Sequence, residues 1–182
     1  KRLHNIAGIF DKALRMESAH NEFLAYVDRM LEDARTNHPD TFWTDEEYAT
    51  WHEELEALKS RYADIIDEMG MRKRVDGLDK HFEVHQVQRA LHEKGLSIQE
   101  EVAALQTRVA ALDQSQVIAD PKRIDVLGTA WDELVAATVN PYQKEIAAVR
   151  QDTPLIERLA RELEASVTAV TEQLRMAGTW LM

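Results

Sequence analysis

The stretch LARELEASVTAVTEQLRMA, from Leu159 to Ala177, decides the fold class of this chain. Its apolar residues recur three and four positions apart, which is the spacing of one face of an α-helix. No segment of the chain shows the apolar–polar alternation that is typical of a half-buried strand. The pattern therefore predicts an all-α protein. The repeating positions are Leu159, Leu163, Val167, Val170, Leu174, Ala177 and Leu181.

The first third of the chain carries two further heptad patterns. A mostly apolar seam predicts a first helix that stops before TNHPD, where Pro39 ends it. A second helix is predicted to begin after Thr44, because Thr44 and Glu47 have the spacing of a capping box, and its apolar residues continue to Met69. The seam of the first helix consists of Leu3, Ile6, Phe10, Ala13, Glu17, His20, Leu24, Val27, Leu31 and Ala34.

Longer helices are predicted in the rest of the chain. A third helix is expected over residues 76 to about 115, with a kink at Gly95. QSQVIADPK is interpreted as a loop, in which Asp120 caps a fourth helix that begins at Pro121. That helix is expected to end near Val139, and the prolines of NPYQKE and DTPLIE predict two further starts.

Together these helices predict an elongated antiparallel bundle of the four-helix type. Residues 1–182 are expected to form one sensor-type domain, since this length suits one domain with a substantial core. Within it, residues 1–96 form a histidine-bearing module and residues 97–182 complete the bundle. Two stacked modules that share long helices are the alternative arrangement.

The composition argues against several classes of protein. The formal net charge of −11 disfavours a nucleic-acid partner, because phosphate binding needs clustered Lys and Arg. Without cysteine, disulfides and thiol catalysis are excluded. No apolar stretch approaches the ~20 residues that cross a bilayer. The sequence has no Gly-rich phosphate loop. A di-iron site would need two Glu-x-x-His pairs, and ESAH (residues 17–20) is not matched by a second pair. We therefore expect no enzyme.

The remaining candidates for chemistry are histidines in LDKHFEVHQVQRALHEKG, residues 78–95. His81 and His85 are four residues apart, so on a helix they share a face and can reach one Zn²⁺. His20 lies on the seam of the first helix, and His52 lies next to a seam residue of the second. These four histidines could complete a tetrahedral metal site, for which Zn, Ni and Cu are equally suited by ligand type.

A second interpretation of the same residues needs no metal. Histidines on a bundle face are often half-buried and hydrogen-bonded to a carboxylate or a carbonyl. Glu17, His20, His81 and His85 would then line a pocket for a small molecule, with Trp51 as its apolar wall.

Two segments resemble the chemoreceptor zinc-binding domain, over roughly residues 14–96. RMESAHNEFLAYVDRML is similar to its first motif, and LDKHFEVHQVQRALHEKG is similar to its HxxxH segment. The resemblance implies that His20, His81 and His85 are zinc ligands. In that family a Cys on the intervening helix completes the site, whereas this chain has EEYATWHEELEALK there. His52 of this segment is our own inference for the fourth ligand.

Two functions follow as expectations. The first is a ligand-sensing, periplasmic domain of a bacterial chemoreceptor or sensor kinase, which binds a small molecule or a metal ion and transmits a helix shift. Such a domain is expected to work as a homodimer, with adjoining membrane helices outside this segment. The alternative is a coiled-coil scaffold or assembly protein without a sensing role, because heptad seams fit it equally well.

Overall fold

A computed structural model describes residues 2–68, 70–149 and 154–182, with backbone only for residues 2–4. The described residues form helices and turns without a strand, so the predicted all-α class is confirmed. The chain divides into two compact units, 1–86 and 87–182, whereas the predicted division lay between 96 and 97. The helices are α1 (Arg2–Asn37), α2 (Asp45–Arg61), α3 (Arg72–Ala110), α4 (Gln114–Ala119), α5 (Lys122–Leu134), a π-helical segment (Val135–Val139), α6 (Asn140–Ala148) and α7 (Pro154–Thr179).

The predicted start of α2 is confirmed. The Thr44 hydroxyl accepts a hydrogen bond from the Glu47 backbone at 3.2 Å, and the Glu47 carboxylate accepts one from the Thr44 backbone at 2.9 Å. α1 runs to Asn37, two residues further than predicted, and ends just before Pro39. Both boundaries follow from local chemistry, because caps and prolines act within one helical turn.

The predicted continuation of α2 to Met69 is wrong. The helix ends at Arg61, and residues 62–68 form turns, while Met69 lies outside the described residues. The backbone of Ile65 and Ile66 donates hydrogen bonds to the Tyr62 carbonyl, each at 3.0 Å. These turns keep the three apolar side chains buried, so the apolar spacing persists although the helix does not.

The predicted buried face of α1 is wrong by one residue. Phe23 and Tyr26 are buried in the core of the first unit, whereas Leu24 and Leu31 of the predicted seam are 46% and 53% exposed. α1 carries two adjacent apolar stripes, and packing chooses the stripe with the aromatic rings. The Tyr26 hydroxyl also donates a hydrogen bond to the Trp51 carbonyl of α2 at 2.8 Å.

The stretch that decides the fold, residues 159–177, supplies much of the core of the second unit. Four of its repeating positions are buried, Leu159, Leu163, Val170 and Ala177, while Leu181 is 44% exposed. The end of α3 supplies facing residues to the same core, as the heptad spacing predicts. α7 begins at Pro154 as expected, because proline has no N–H to lose in the first helical turn.

Gly95 of α3 lies close to side chains of α6 and α7. The helix continues through it, and a Cβ atom there would lie 2.1 Å from the Tyr142 hydroxyl and 2.6 Å from a methyl group of Leu159. Tyr142 is fully buried and donates a hydrogen bond to the Leu91 carbonyl at 2.8 Å. The glycine is therefore required by close packing of the tyrosine on α3.

Two predicted breaks are helical instead. The interpretation of QSQVIADPK as a loop is wrong, since residues 114–119 form α4, capped by the Asp113 carboxylate, and Asp120 ends this helix. The predicted end near Val139 is also wrong, because the chain passes through the π-helical segment into α6. Pro141 lies at the first turn of α6, where a wider π turn accommodates a residue without an N–H.

Candidate functional site

The first unit contains an aromatic cluster, which we define as Phe42, Trp43, Tyr48, Trp51, His52, Phe82 and His85. Trp43 is 3% exposed and its ring lies 4.8 Å from that of His85 and 6.2 Å from those of Trp51 and Phe82. Tyr48 stacks on both histidines, with ring centroids 6.0 Å from His52 and 5.9 Å from His85. Such ring contacts contribute about 0.5–1.5 kcal/mol each beyond burial of area.

Asp33 of α1 holds the two tryptophans of the cluster together. The indole N–H groups of Trp43 and Trp51 donate to the same carboxylate oxygen, at 3.0 and 3.3 Å. Burial raises the pKa of Asp33, but hydrogen bonds from Asn37, Trp51 and Trp43 outweigh it, so the pKa lies below its ordinary value. The carboxylate is thus ionised at neutral pH and fixes the position of both indoles.

Trp51 also carries a cation on its outer side. The Arg29 guanidinium lies 5.8 Å from the centre of the Trp51 ring and forms an ion pair with Glu54 of α2. The hydrogen bond to Glu54 raises the pKa of Arg29. This arrangement is a cation–π contact, which leaves Trp51 packed in the cluster on one side and covered on the other.

The four predicted metal ligands are not brought together as predicted. His52 and His85 belong to the aromatic cluster, and the His85 Nδ1 atom is buried. His81 keeps part of its surface in water, but its ring packs against Phe82, and this partial desolvation lowers its pKa. The inward position next to it is taken by Phe82, which is 1% exposed.

A fit to zinc can be tested on these residues. Within the part of the chain that the structure describes, no three His, Asp or Glu side chains lie close enough together to hold a metal ion. A tetrahedral zinc site needs three or four such ligands. The zinc site therefore stays a prediction that the geometry of the described residues does not support.

His20 lies elsewhere in the first unit, at a groove that we call the α1–α3 groove. Its volume is about 400 Å³. The walls are mainly apolar, and two side chains with nitrogen donors, His20 and Arg74, contribute to them. The lining residues are His20, Phe23, Leu24, Val27, Met71, Arg74, Val75, Gly77 and Leu78.

The two predicted pocket residues without a metal role are separated from this groove. Glu17 is exposed on α1, one turn before His20, and is not among the residues that line the groove. Trp51 packs in the aromatic cluster instead of forming a wall of the pocket. Of the residues predicted for the pocket, His20 lines this groove, whereas Glu17, His81, His85 and Trp51 are not among its lining residues.

Three important residues were not predicted as site residues, namely Asp33, Trp43 and Arg74. For Trp43 a signal existed, because it precedes the cap Thr44 and stands at the hydrophobic-staple position relative to Tyr48. Arg74 belongs to the basic run MRKR, the tightest cluster of cations in the chain. For Asp33 no pattern in the sequence indicated that two indoles would meet at its carboxylate.

The comparisons with known proteins give no relative for this chain. No family model, no curated protein and no solved structure matches it. Among the described residues, no helix is both long and apolar enough to cross a bilayer. Any functional conclusion therefore has to come from the geometry of the chain.

Proposed function

We propose that this chain is a ligand-sensing helical domain of a bacterial signalling receptor, and that its ligand binds in the α1–α3 groove. The groove itself supports this proposal. Small-molecule sites are typically concave, about 300–1,000 Å³ in volume, mostly apolar, and furnished with a few polar groups that orient the ligand. The groove has this volume and character, with His20 and Arg74 as its nitrogen donors.

The proposed ligand is a small organic molecule with an apolar body and at least one hydrogen-bond acceptor. The apolar body would pack on Phe23, Val27 and Leu78, and the acceptor would face His20 and Arg74. A ligand that contacts α1 and α3 together stabilises the helix spacing that fits it best. The difference between its binding free energies for two helix spacings is the free energy available for a helix shift.

The receptor context completes the proposal. The domain would act in the periplasm as a homodimer, joined to membrane helices outside this segment. α3 is suited to carry the shift, because it is one continuous helix whose residues belong to both compact units. The shift would begin in the first turns of α3, because these turns line the groove.

A groove-blocking variant tests the ligand site. Gly77 lines the groove, and a Cβ atom there would meet no atom within 4 Å, so Gly77→Leu places a side chain in the groove without a clash at Cβ. The probe is Nile red, an uncharged apolar fluorophore with a carbonyl acceptor. We expect saturable fluorescence enhancement with the wild type, and at least a fivefold weaker affinity in Gly77→Leu and in Arg74→Gln.

Gly128→Leu is the matched control. Gly128 also lies within a helix, has open space at its Cβ position and belongs to the second unit. Both changes replace a glycine inside a helix, which stabilises a helix by about 0.5–1 kcal/mol. Equal probe affinity in all four proteins would contradict a ligand site in the groove.

A scaffold is the second candidate, and a specific surface favours it. The first turns of α1 expose four large apolar side chains, Ile6, Ile9, Phe10 and Leu14, which are 58%, 69%, 67% and 55% exposed. Three- and four-residue spacing is typical of a seam that pairs with a second helix. For both candidates we propose that this second helix is α1 of another copy of the chain.

The oligomeric state and probe binding together separate the two candidates. Analytical ultracentrifugation should show a dimer that Phe10→Asp together with Leu14→Asp converts to a monomer, while Met176→Asp, an exposed position in the second unit, leaves it unchanged. A dimer that binds the probe in the groove supports a sensor. A dimer whose probe affinity is the same in Gly77→Leu supports a scaffold.

A further inference from the structure

The second unit contains a cavity of about 460 Å³ that concentrates positive charge in an acidic chain. Arg108, Lys122 and Arg123 contribute to its lining, against the single carboxylate of Asp120. The whole chain has a formal net charge of −11. We call this feature the cationic cavity. Three cations at one concavity raise the local concentration of anions, which the rest of the surface repels.

The three cations differ in their partners. Arg123 is held by the Gln116 side chain at 2.9 Å and by Asp120 at 3.8 Å. Arg108 and Lys122 have no carboxylate partner among the described residues. Two charges are therefore available to a ligand, while the third is already oriented by Gln116 and Asp120.

The position of Lys122 and Arg123 is unfavourable for the helix that carries them. They are the first two residues of α5, whose N-terminus has no side-chain cap. The N-terminal end of a helix bears partial positive charge, so cations there destabilise the helix, typically by 0.3–1 kcal/mol each. Asp125 is the single acid in this first turn. A bound anion would remove the repulsion and would use the same N-terminal potential.

The cavity is open to solvent, and part of its lining is apolar. Leu112 and Leu127 line it, and Val126 remains 59% exposed at its surface. An inorganic anion would leave these side chains in contact with water. A ligand that joins an anionic head to an apolar tail would cover them as well, which adds roughly 25 cal/mol for each Å² of apolar surface buried.

From these contacts we propose that the cationic cavity binds a small amphipathic anion, with a carboxylate or phosphate head at Arg108, Lys122 and Arg123 and a short apolar tail over Val126. This site is separate from the α1–α3 groove, because its residues all belong to the second unit. The proposal therefore does not depend on the ligand site proposed for the first unit.

Calorimetry with four six-carbon probes tests the proposal on the full chain. Hexanoate and hexyl phosphate should bind saturably, while 1-hexanol and hexylammonium should bind at least tenfold more weakly. Raising the ionic strength should weaken hexanoate binding, since the charges are exposed. If 1-hexanol binds as tightly as hexanoate, or if neither anion binds saturably, the proposal is wrong.

Variants locate the site. Arg108→Gln together with Lys122→Gln should weaken hexanoate binding at least tenfold, whereas Lys144→Gln, an exposed lysine of α6 outside the cavity, should leave it unchanged. Lys122→Gln alone should raise the melting temperature of the ligand-free chain while it weakens binding. If Lys122 had a purely structural role, its replacement would lower the melting temperature, and that result would contradict the proposal.

An experiment with lipid vesicles distinguishes a membrane lipid from a soluble molecule as the source of the anionic head. Sedimentation with phosphatidylglycerol vesicles reports binding to a lipid surface, which offers the same head-group charge on a large scale. A soluble ligand is supported if the chain binds hexanoate, if the double variant Arg108→Gln with Lys122→Gln abolishes that binding, and if the chain does not bind vesicles. Vesicle binding without hexanoate binding would overturn the small-ligand proposal.

Discussion

Gly95→Ala should destabilise the protein although alanine is the better helix former. Gly95 lies within α3, where the added methyl group would meet the Tyr142 hydroxyl at 2.1 Å, the adjacent ring carbon at 2.7 Å and Leu159 at 2.6 Å. Separations below 3.0 Å require movement of the neighbouring atoms. Tyr142 is fully buried and its hydroxyl is bonded to the Leu91 carbonyl, so it has no empty space into which to move.

The cost can be worked from these contacts. Overpacking of a tight core costs about 1–3 kcal/mol. If Tyr142 shifts, its buried hydroxyl loses the Leu91 carbonyl, which adds about 1–3 kcal/mol. The higher helix propensity of alanine offsets about 1 kcal/mol of this destabilisation. We expect a net loss of about 1–5 kcal/mol, or a fall in melting temperature of roughly 2–20 °C for a chain of this size.

Two comparisons isolate the cause. Gly77→Ala makes the same substitution in the same helix with open space at Cβ, so its melting temperature should rise slightly. Tyr142→Phe removes the hydroxyl nearest to the new methyl group, and its own cost is about 1 kcal/mol. Combined with Gly95→Ala, it should destabilise less than the sum of the single changes, by at least about 1 kcal/mol.

The measurement is urea unfolding followed by circular dichroism, with calorimetry for the melting temperatures. If Gly95→Ala is as stable as the wild type, or if its effect simply adds to that of Tyr142→Phe, the steric argument fails. Burial raises the pKa of Tyr142 to about 12, so the hydroxyl stays protonated through the neutral range in which these experiments are made.

Three other predictions concern the first unit. Asp33→Ala should cost about 1–3 kcal/mol, because it leaves the buried Trp43 indole without its acceptor. The pKa of Asp33 is lowered from its ordinary value in the folded chain, so its contribution is fully present above pH ~4 and is lost as the pH falls through the folded pKa. The difference in stability between wild type and Asp33→Ala should therefore shrink in acid-titrated urea unfolding. Thr44→Ala should cost about 1 kcal/mol through loss of the capping box, measured by thermal unfolding, with Thr50→Ala as an exposed mid-helix control. Calorimetry with Zn²⁺ should give no saturable heat, since no three ligands converge among the described residues, whereas sub-micromolar binding that His85→Ala removes would re-establish the metal hypothesis.

The parts of the fold that were predicted correctly depend on short-range chemistry. The Thr44–Glu47 capping box joins residues three positions apart, and it is present as predicted. The buried face of α7 follows from one unambiguous apolar stripe, which no competing stripe obscures. Pro154 begins a helix because its own ring sets the backbone angle.

The parts that were predicted wrongly depend on partners far along the chain. In α1 the stripe with Leu24 and the stripe with Phe23 are equally periodic, and the contact with α2 decided between them. The packing role of Gly95 was not predicted, because Tyr142, 47 positions later, is the reason that a side chain is absent there. An apolar pattern with a period of 3.6 residues likewise does not indicate where a π-helical turn occurs.

The candidate site shows the same division. His20 was predicted as a pocket residue and does line a groove, because its place on α1 leaves it beside the packed stripe. His52 and His85 were predicted as ligands of one metal, but Tyr48 lies against both rings. Residue type and spacing show which groups share a helix face. They do not show which side chain of another helix will fill the space between them.

The amino-acid sequence thus specified an all-α chain, its main helices, most of the buried face of α7 and the absence of thiol chemistry, since each depends on composition or on neighbours within a few turns. The tertiary structure decided which stripe of α1 is buried, that Asp33 joins two tryptophans, and that Arg108 meets Lys122 and Arg123 at one cavity. These contacts join residues from separate helices. They are chosen by the packing of whole side chains, because close packing admits few arrangements and periodicity alone permits many.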